Sequence, residues 1–373
     1  MNLRERFSAV MTYQPFDRVP IWYFGSWPQT KERWKKEGLA IEKCDRSPGP
    51  DLPGMDKDWG TGLWEHHGLA NLSWIPEGPC EILEETEEHQ VIRPPWGGVQ
   101  RVSKTGGAFS EHVEEALLPT RESWRQFKRF VDVGDPKRVI AELDRRAEAF
   151  AKREHVLAFM GGSLYGWPRD WMGVEGWSCL AYDDPALYEE IIEHLTEYFM
   201  TLMGPVLDRV DFDLCYLFED CCFNTGPLFS PATYKQFYHK YYVRLIEFYR
   251  KKGVPLVLLD SDGKVDDLIG CWLDSGVDIL FPIEVGTWKA DPVKLRRKFG
   301  KSLRMMGGFD KHLIPKGESV FRPELERLLP LVKEGGFIPF PDHRIPPDCS
   351  LEQMRNYIRV FGEVFSAKDA CGC

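Results

Sequence analysis

From about residue 155 the chain repeats one pattern: a short apolar run, a polar or glycine-rich turn, then an amphipathic helical stretch. The apolar runs are VLAFMGG (156–162), DLCYLFED (213–220), VPLVLLDSDG (254–263), VDILFPIEV (277–285), SLRMMGGFD (302–310) and GFIPFPDH (336–343). Asp184-Pro185, Ser230-Pro231 and Asp291-Pro292 have the cap-then-proline form that starts helices, and Gly253, Gly276 and Gly335 lie where helices should stop. Strands alternating with helices predict a parallel sheet covered by helices. RVPIWYF (18–24) supplies a further strand and LANLSWI (69–75) a weaker one, so the count reaches that of a (β/α)8 TIM barrel with an N-terminal elaboration. Residues 76–110 read as a β-hairpin excursion over the mouth or at the barrel's side. No linker or low-complexity segment interrupts the pattern. It predicts one domain over 1–373, with barrel helices to about 367 and a short cysteine-containing tail.

A barrel of this kind keeps its chemistry where strands end and the following loops begin. The polar strand ends are Gly161-Gly162-Ser163, Glu219-Asp220, Asp260-Ser261-Asp262, Glu284, Gly307-Gly308-Phe309-Asp310 and Asp342-His343-Arg344. They would converge on one mouth.

Composition narrows the function classes. With 43% hydrophobic residues, 13 Trp and 23 Phe, the chain can fill a sizeable interior. A formal net charge of -10 argues against general nucleic-acid or anionic-membrane binding, which needs a surplus of Lys and Arg on one face. No run approaches the roughly 20 apolar residues of a membrane span. The charged start MNLRERFSAV is unlike a secretory signal, which predicts a cytoplasmic protein. Ten cysteines without a CxxC pair read as free thiols in a reducing compartment.

Asp260 and Asp262 stand one residue apart at the end of an oily strand, and strand geometry would point both to the same side. An Asp before a helix also caps exposed amides, and KVDDLIGCWLDSG reads as that helix, so capping is the structural alternative. The chemical reading joins both carboxylates to Glu219 from one neighbouring strand and His343 from the last. Carboxylate and imidazole from separate strands suit a hard or borderline divalent ion. Without a metal, one carboxylate of such a cluster would keep its proton. GGSLYGWPRDWMG (161–173) holds Tyr165, Trp167, Arg169 and Trp171 close together, either as core packing or as a wall for a planar substrate. Asp310 reads as a helix cap or a site acid. Glu284 and Arg344 are further candidates for substrate contact. Phosphate-binding glycine motifs are absent.

The order of these pieces resembles the uroporphyrinogen decarboxylase superfamily, which includes corrinoid-dependent methyltransferases. The resemblance runs from LRERFSAVMTYQPFDRVPIW through GGSLYGW, FED, GPLFSPATYKQF, LLDSDG, FPIEV, MMGGFD and GGFIPFPDHRIPPDCSLEQ. It implies the barrel and places Tyr165 near a tyrosine that decarboxylases of the family use. Those decarboxylases carry an Arg-Gln-Ala-Gly-Arg stretch whose arginines hold substrate propionates. Gly25-Ser26-Trp27-Pro28-Gln29 stands in that place, and both arginines are missing. In the zinc methyltransferases a His-x-Cys-Gly stretch and a later Cys hold the metal. The matching positions are Asp260, Asp262 and His343, so the positions persist with harder ligands. Decarboxylases also carry a histidine where His343 stands. The resemblance implies methyl transfer between a small O- or N-methylated compound and a corrinoid, assisted by a divalent metal held by Asp260, Asp262, His343 and Glu219, or by the same residues as an acid cluster. No DxHxxG corrinoid-binding stretch occurs, so the corrinoid would come on a partner protein. Decarboxylation of a smaller acid, and a non-catalytic binding barrel, are the alternatives.

Overall fold

A computed structural model describes residues 1–40, 52–56, 70, 72, 79–104, 111–135, 138 and 143–366. Ahead of the barrel wall, β1 (Glu81–Glu85), β2 (His89–Arg93), β3 (Val99–Ser103) and β4 (Glu111–Glu114) form an antiparallel sheet in that spatial order. The expected hairpin excursion is therefore four strands, extending past residue 110. Val91 and Val99 are its buried side chains, and β1 and β4 are wholly exposed. The sheet leads through Leu117, whose amide donates to the Trp171 carbonyl at 2.9 Å, onto the barrel's helical layer.

The barrel wall follows: β5 (Ala158–Gly162), β6 (Leu214–Phe218), a small hairpin of β7 (Cys222–Phe223) and β8 (Gly226–Pro227), then β9 (Val257–Asp260), β10 (Ile279–Ile283), β11 (Arg304–Phe309) and β12 (Phe337–Pro341). Six of these form one parallel sheet in the order β12-β11-β10-β9-β6-β5. Each matches one of the six repeated apolar runs. Their side chains are buried almost throughout because the barrel interior lies on one face and helices on the other. The fold is a (β/α)8 TIM barrel.

The helices start and stop where the punctuation requires. Asp184 accepts from the Leu187 amide and opens Pro185–Leu207, Ser230 accepts from Thr233 and opens Pro231–Phe237, and Asp291 accepts from Val293 and opens Pro292–Phe299. Along Pro185–Leu207 the buried Leu187, Ile191, Ile192, Leu195 and Phe199 recur at helical spacing. Truncating one such residue to alanine costs about 2–5 kcal/mol. Among the described residues no helix is long and apolar enough to cross a membrane.

Among the described residues the segment RVPIWYF joins no ladder; an isolated parallel bridge forms just after it, between Ser26 and Ile345. There the Ile345 amide donates to the Gly25 carbonyl at 2.9 Å and the Trp27 amide to the Ile345 carbonyl at 3.2 Å. The helix Pro28–Lys36 reinforces this closure, with the Thr30 hydroxyl donating to the Ile345 carbonyl and the Trp34 indole to that of Cys349. The N-terminal segment is thereby fixed beside the loop after β12. Most of the weaker candidate, LANLSWI, lies outside the described residues.

Candidate active and metal site at the barrel mouth

Strand β9 ends at Asp260, and the next residues turn rather than continue the ladder. Gly263 takes a φ of 88°, and a Cβ there would lie 2.5 Å from the Cys222 carbonyl oxygen, so only glycine fits the turn. The Gly263 amide donates to Glu284 Oε2 at 2.6 Å and the Asp262 amide to Asp220 Oδ1 at 3.1 Å. Asp262 is thus held at the mouth by its backbone, leaving its carboxylate to face its neighbours.

Asp262, Glu284 and His343 each present a ligand atom, and these atoms all lie within 4.8 Å of one another. His343 Nε2 is 3.2 Å from Asp262 Oδ2. Glu284 is braced by the Thr287 hydroxyl, which donates to Oε1 at 2.9 Å. Burial first, and the Asp262 charge second, push the Glu284 carboxyl above its usual range against the Gly263 amide. His343 is placed by what surrounds it. Its chain neighbour Asp342, fully buried, accepts from the amides of Val285 at 2.7 Å, Gly286 at 2.6 Å and Lys311 at 3.2 Å, tying the ends of β10, β11 and β12 together. Phe24 lies against the imidazole at a centroid distance of 4.9 Å and Trp27 at 5.8 Å.

The other sequence candidates are placed differently. Asp260, 5% exposed, takes a hydrogen bond from the Tyr216 hydroxyl. Burial, and then the nearby Asp262 charge, raise its carboxyl well above the ordinary range. Glu219, 2% exposed, accepts from the amides of Leu164 at 2.8 Å, Tyr165 at 2.7 Å and Gly166 at 3.0 Å, at the start of the helix Gly166–Asp183. Burial outweighs these donors and pushes its carboxyl up to about 7. The helix-capping carboxylate here is Glu219, because the helix after β9 starts only at Ile269, too far along for Asp262 to cap it. The expected group of Asp260, Asp262, Glu219 and His343 is not one cluster: Asp262 and His343 meet, Glu284 joins them, and Asp260 and Glu219 have other partners.

Tyr165 is buried, its ring 4.8 Å from that of Phe229, and burial raises its hydroxyl above the usual range. Trp167 packs on Phe199 at 4.9 Å and Trp171 at 5.9 Å. Arg169 donates to the Asp220 carbonyl at 2.6 Å and to Asp170 at 2.7 Å. Asp310 caps the turn Lys311–Lys316 by accepting from the His312 amide. Arg344 lies over the Trp27 ring at 5.2 Å. Sequence reasoning missed the roles of Phe24, Trp27, Asp220 and Asp342. The last two sit beside residues already singled out, but nothing local reports whom they bond.

Two carboxylates and an imidazole are a donor set suited to a divalent ion such as zinc. Asp262 Oδ1 is buried without a hydrogen-bond partner, and among the described residues neither Asp262 nor Glu284 is paired with Lys or Arg. A cation would satisfy both conditions, so the residues fit a metal.

A parallel barrel carrying an acid and imidazole cluster at its strand ends defines the class of molecule. Within that class, the chain belongs to the uroporphyrinogen decarboxylase (URO-D) family, whose sequence profile matches residues 122–364, more than half of its length. The fold is shared with a methyltransferase from Methanosarcina mazei, at a TM-score of 0.53 and 14% identity over 97% of this chain and 99% of that one. Both the family and this neighbour comprise enzymes. No curated protein sequence matches the chain.

Proposed function

We propose that this protein is a cytoplasmic methyltransferase that moves a methyl group between a small O- or N-methylated compound and a corrinoid carried by a partner protein. The observation that carries the reading is the Asp262, Glu284 and His343 cluster at the mouth. Methyl transfer leaves the bonding electron pair on the donor's heteroatom: on an ether oxygen this develops negative charge that the site must accommodate, whereas on a quaternary nitrogen it neutralises the positive charge. A divalent ion held by the three side chains would supply Lewis-acid polarisation of an ether oxygen, while the acidic side chains suit a cationic methylated nitrogen. Asp262 and Glu284 are anchored through backbone amides and Thr287, and the His343 ring by Phe24 and Trp27, so the donors are oriented before substrate arrives. The absence of both arginines from Gly25–Gln29 supports a substrate other than a porphyrinogen.

The test mixes metal-analysed protein with a reduced corrinoid protein from the same source and a panel of ethers, betaines and methylamines. The methylated-corrinoid spectrum should appear with at least one donor and vanish in Asp262→Ala. Family membership favours decarboxylation of a smaller acid as the second reading. Carbon dioxide release without any corrinoid change, across a panel of small acids, would establish it instead.

A further inference from the structure

The cations around the mouth are not alike. Arg169 is held by Asp170 and the Asp220 backbone, and Lys311 lies 3.7 Å from Asp342. Arg344 follows His343 directly, is half-buried, and has no carboxylate partner among the described residues, although the chain carries 58 acids to 48 bases. Its guanidinium rests on the Trp27 indole. Stacking occupies the flat face of a guanidinium and leaves its N–H donors at the edge, in the fork that matches a carboxylate. Beside it stands a second unmet group: Ser26, 2% exposed, has a hydroxyl with no hydrogen-bond partner, and it bridges to Ile345, the residue after Arg344. A cation and a buried hydroxyl left without polar partners, one step from His343 of the proposed cluster, describe a place for an anionic group.

We infer that the substrate is a methylated carboxylic acid, whose carboxylate is taken by Arg344 and Ser26 while its methyl-bearing heteroatom faces Asp262, Glu284 and His343. This deepens the methyl-transfer reading and rests on it for the second half of the statement. The arrangement explains why acids crowd the rest of the mouth without excluding an acid substrate: the carboxylate meets Arg344, whose guanidinium rests on Trp27 and has no carboxylate partner among the described residues. Since Arg344 and His343 are adjacent residues, the acid must be short or flat.

Binding is measured by calorimetry, without corrinoid protein, for methoxyacetate, para-methoxybenzoate and N,N,N-trimethylglycine, each against its primary amide. A charge-assisted pair predicts that at least one acid binds about 10- to 100-fold tighter than its amide. Arg344→Gln should bring acid and amide to within about threefold of each other, and Arg344→Lys should keep part of the preference, since a point charge lacks the fork. Metal content and thermal midpoint report the fold of each variant, and Trp27→Leu, which removes the platform but keeps the charge, should also weaken the preference. Equal binding of acid and amide, no binding of any probe, or a preference that survives Arg344→Gln overturns the assignment. Acid preference in a protein that transfers no methyl group would leave Arg344 in its role and remove the methyltransferase reading.

Discussion

On the β5–β6 side of the mouth, Glu219 has both oxygens on backbone amides, and Arg169 clamps the carbonyl of the next residue. On the β9–β10–β12 side, Asp262 has a bare Oδ1 and faces Glu284 and His343 at ligand spacing. Both sides are acidic and partly or fully buried, yet the first is closed and the second open. A buried carboxylate whose lone pairs are met by amides holds the fold together; one left unmet beside other donors is available to a ligand.

The widest separation between the two sides should appear in metal binding. His343→Ala or Asp262→Ala should lower divalent-metal affinity at least about 100-fold, because each would remove a bond that the proposed site offers the ion. Glu219→Gln should leave it within about threefold. Elemental analysis after dialysis against metal buffers decides, and equal losses in all three variants would erase the contrast.

Stability should show the reverse. Glu219→Ala strands three buried amides and should cost about 3–5 kcal/mol in urea unfolding, more than Asp262→Ala does in metal-free protein. The Glu219 contribution also has a defined pH dependence. Its carboxyl titrates near 7 when folded and near its ordinary 4.5 when unfolded, so between those values the folded state binds more protons. Stability conferred by this group is full below about 4.5, falls as pH rises to about 7, and is flat above. Relative to Glu219→Gln, wild type should lose roughly 3 kcal/mol across that window. An opposite slope would mean that the three amide donors outweigh burial.

Gly263→Ala probes the hinge between the two sides, since its Cβ would meet the Cys222 carbonyl and its φ of 88° disfavours a side chain. A loss of about 2–4 kcal/mol is expected, together with weaker metal binding through displacement of Asp262. The smallest expected signal is none at all: with Arg169 held on the closed side and no arginine in Gly25–Gln29, uroporphyrinogen incubated anaerobically should yield no coproporphyrinogen. Clear turnover would show that Arg344 or a remote cation replaces the missing pair.

Much of the fold was legible in the sequence because the signals are local. The six apolar runs became β5, β6 and β9–β12, and Asp184, Ser230 and Asp291 cap the helices they precede, since a capping side chain bonds an amide only two or three residues away. Positive-φ glycines after helices, such as Gly253, Gly276 and Gly335, follow from backbone sterics alone. RVPIWYF shows where this ends: it has strand composition, but ladder pairing depends on a partner distant in sequence, and among the described residues the one bridge near it is that of Ser26 with Ile345, just past its end.

The site divides along the same line. Sequence could nominate acids and a histidine at strand ends, because barrel topology sends all those ends to one mouth. It could not say that β9 stops at Asp260, so that Asp260 accepts from Tyr216 while Asp262 reaches Glu284 and His343. Nor could it say that three amides of another loop would claim Glu219, or that Phe24 and Trp27 would flank a histidine near the opposite end of the chain. Residue type fixes what a side chain can bond, whereas which partner lies within about 3 Å is set by strand register and the packing of segments far apart in sequence.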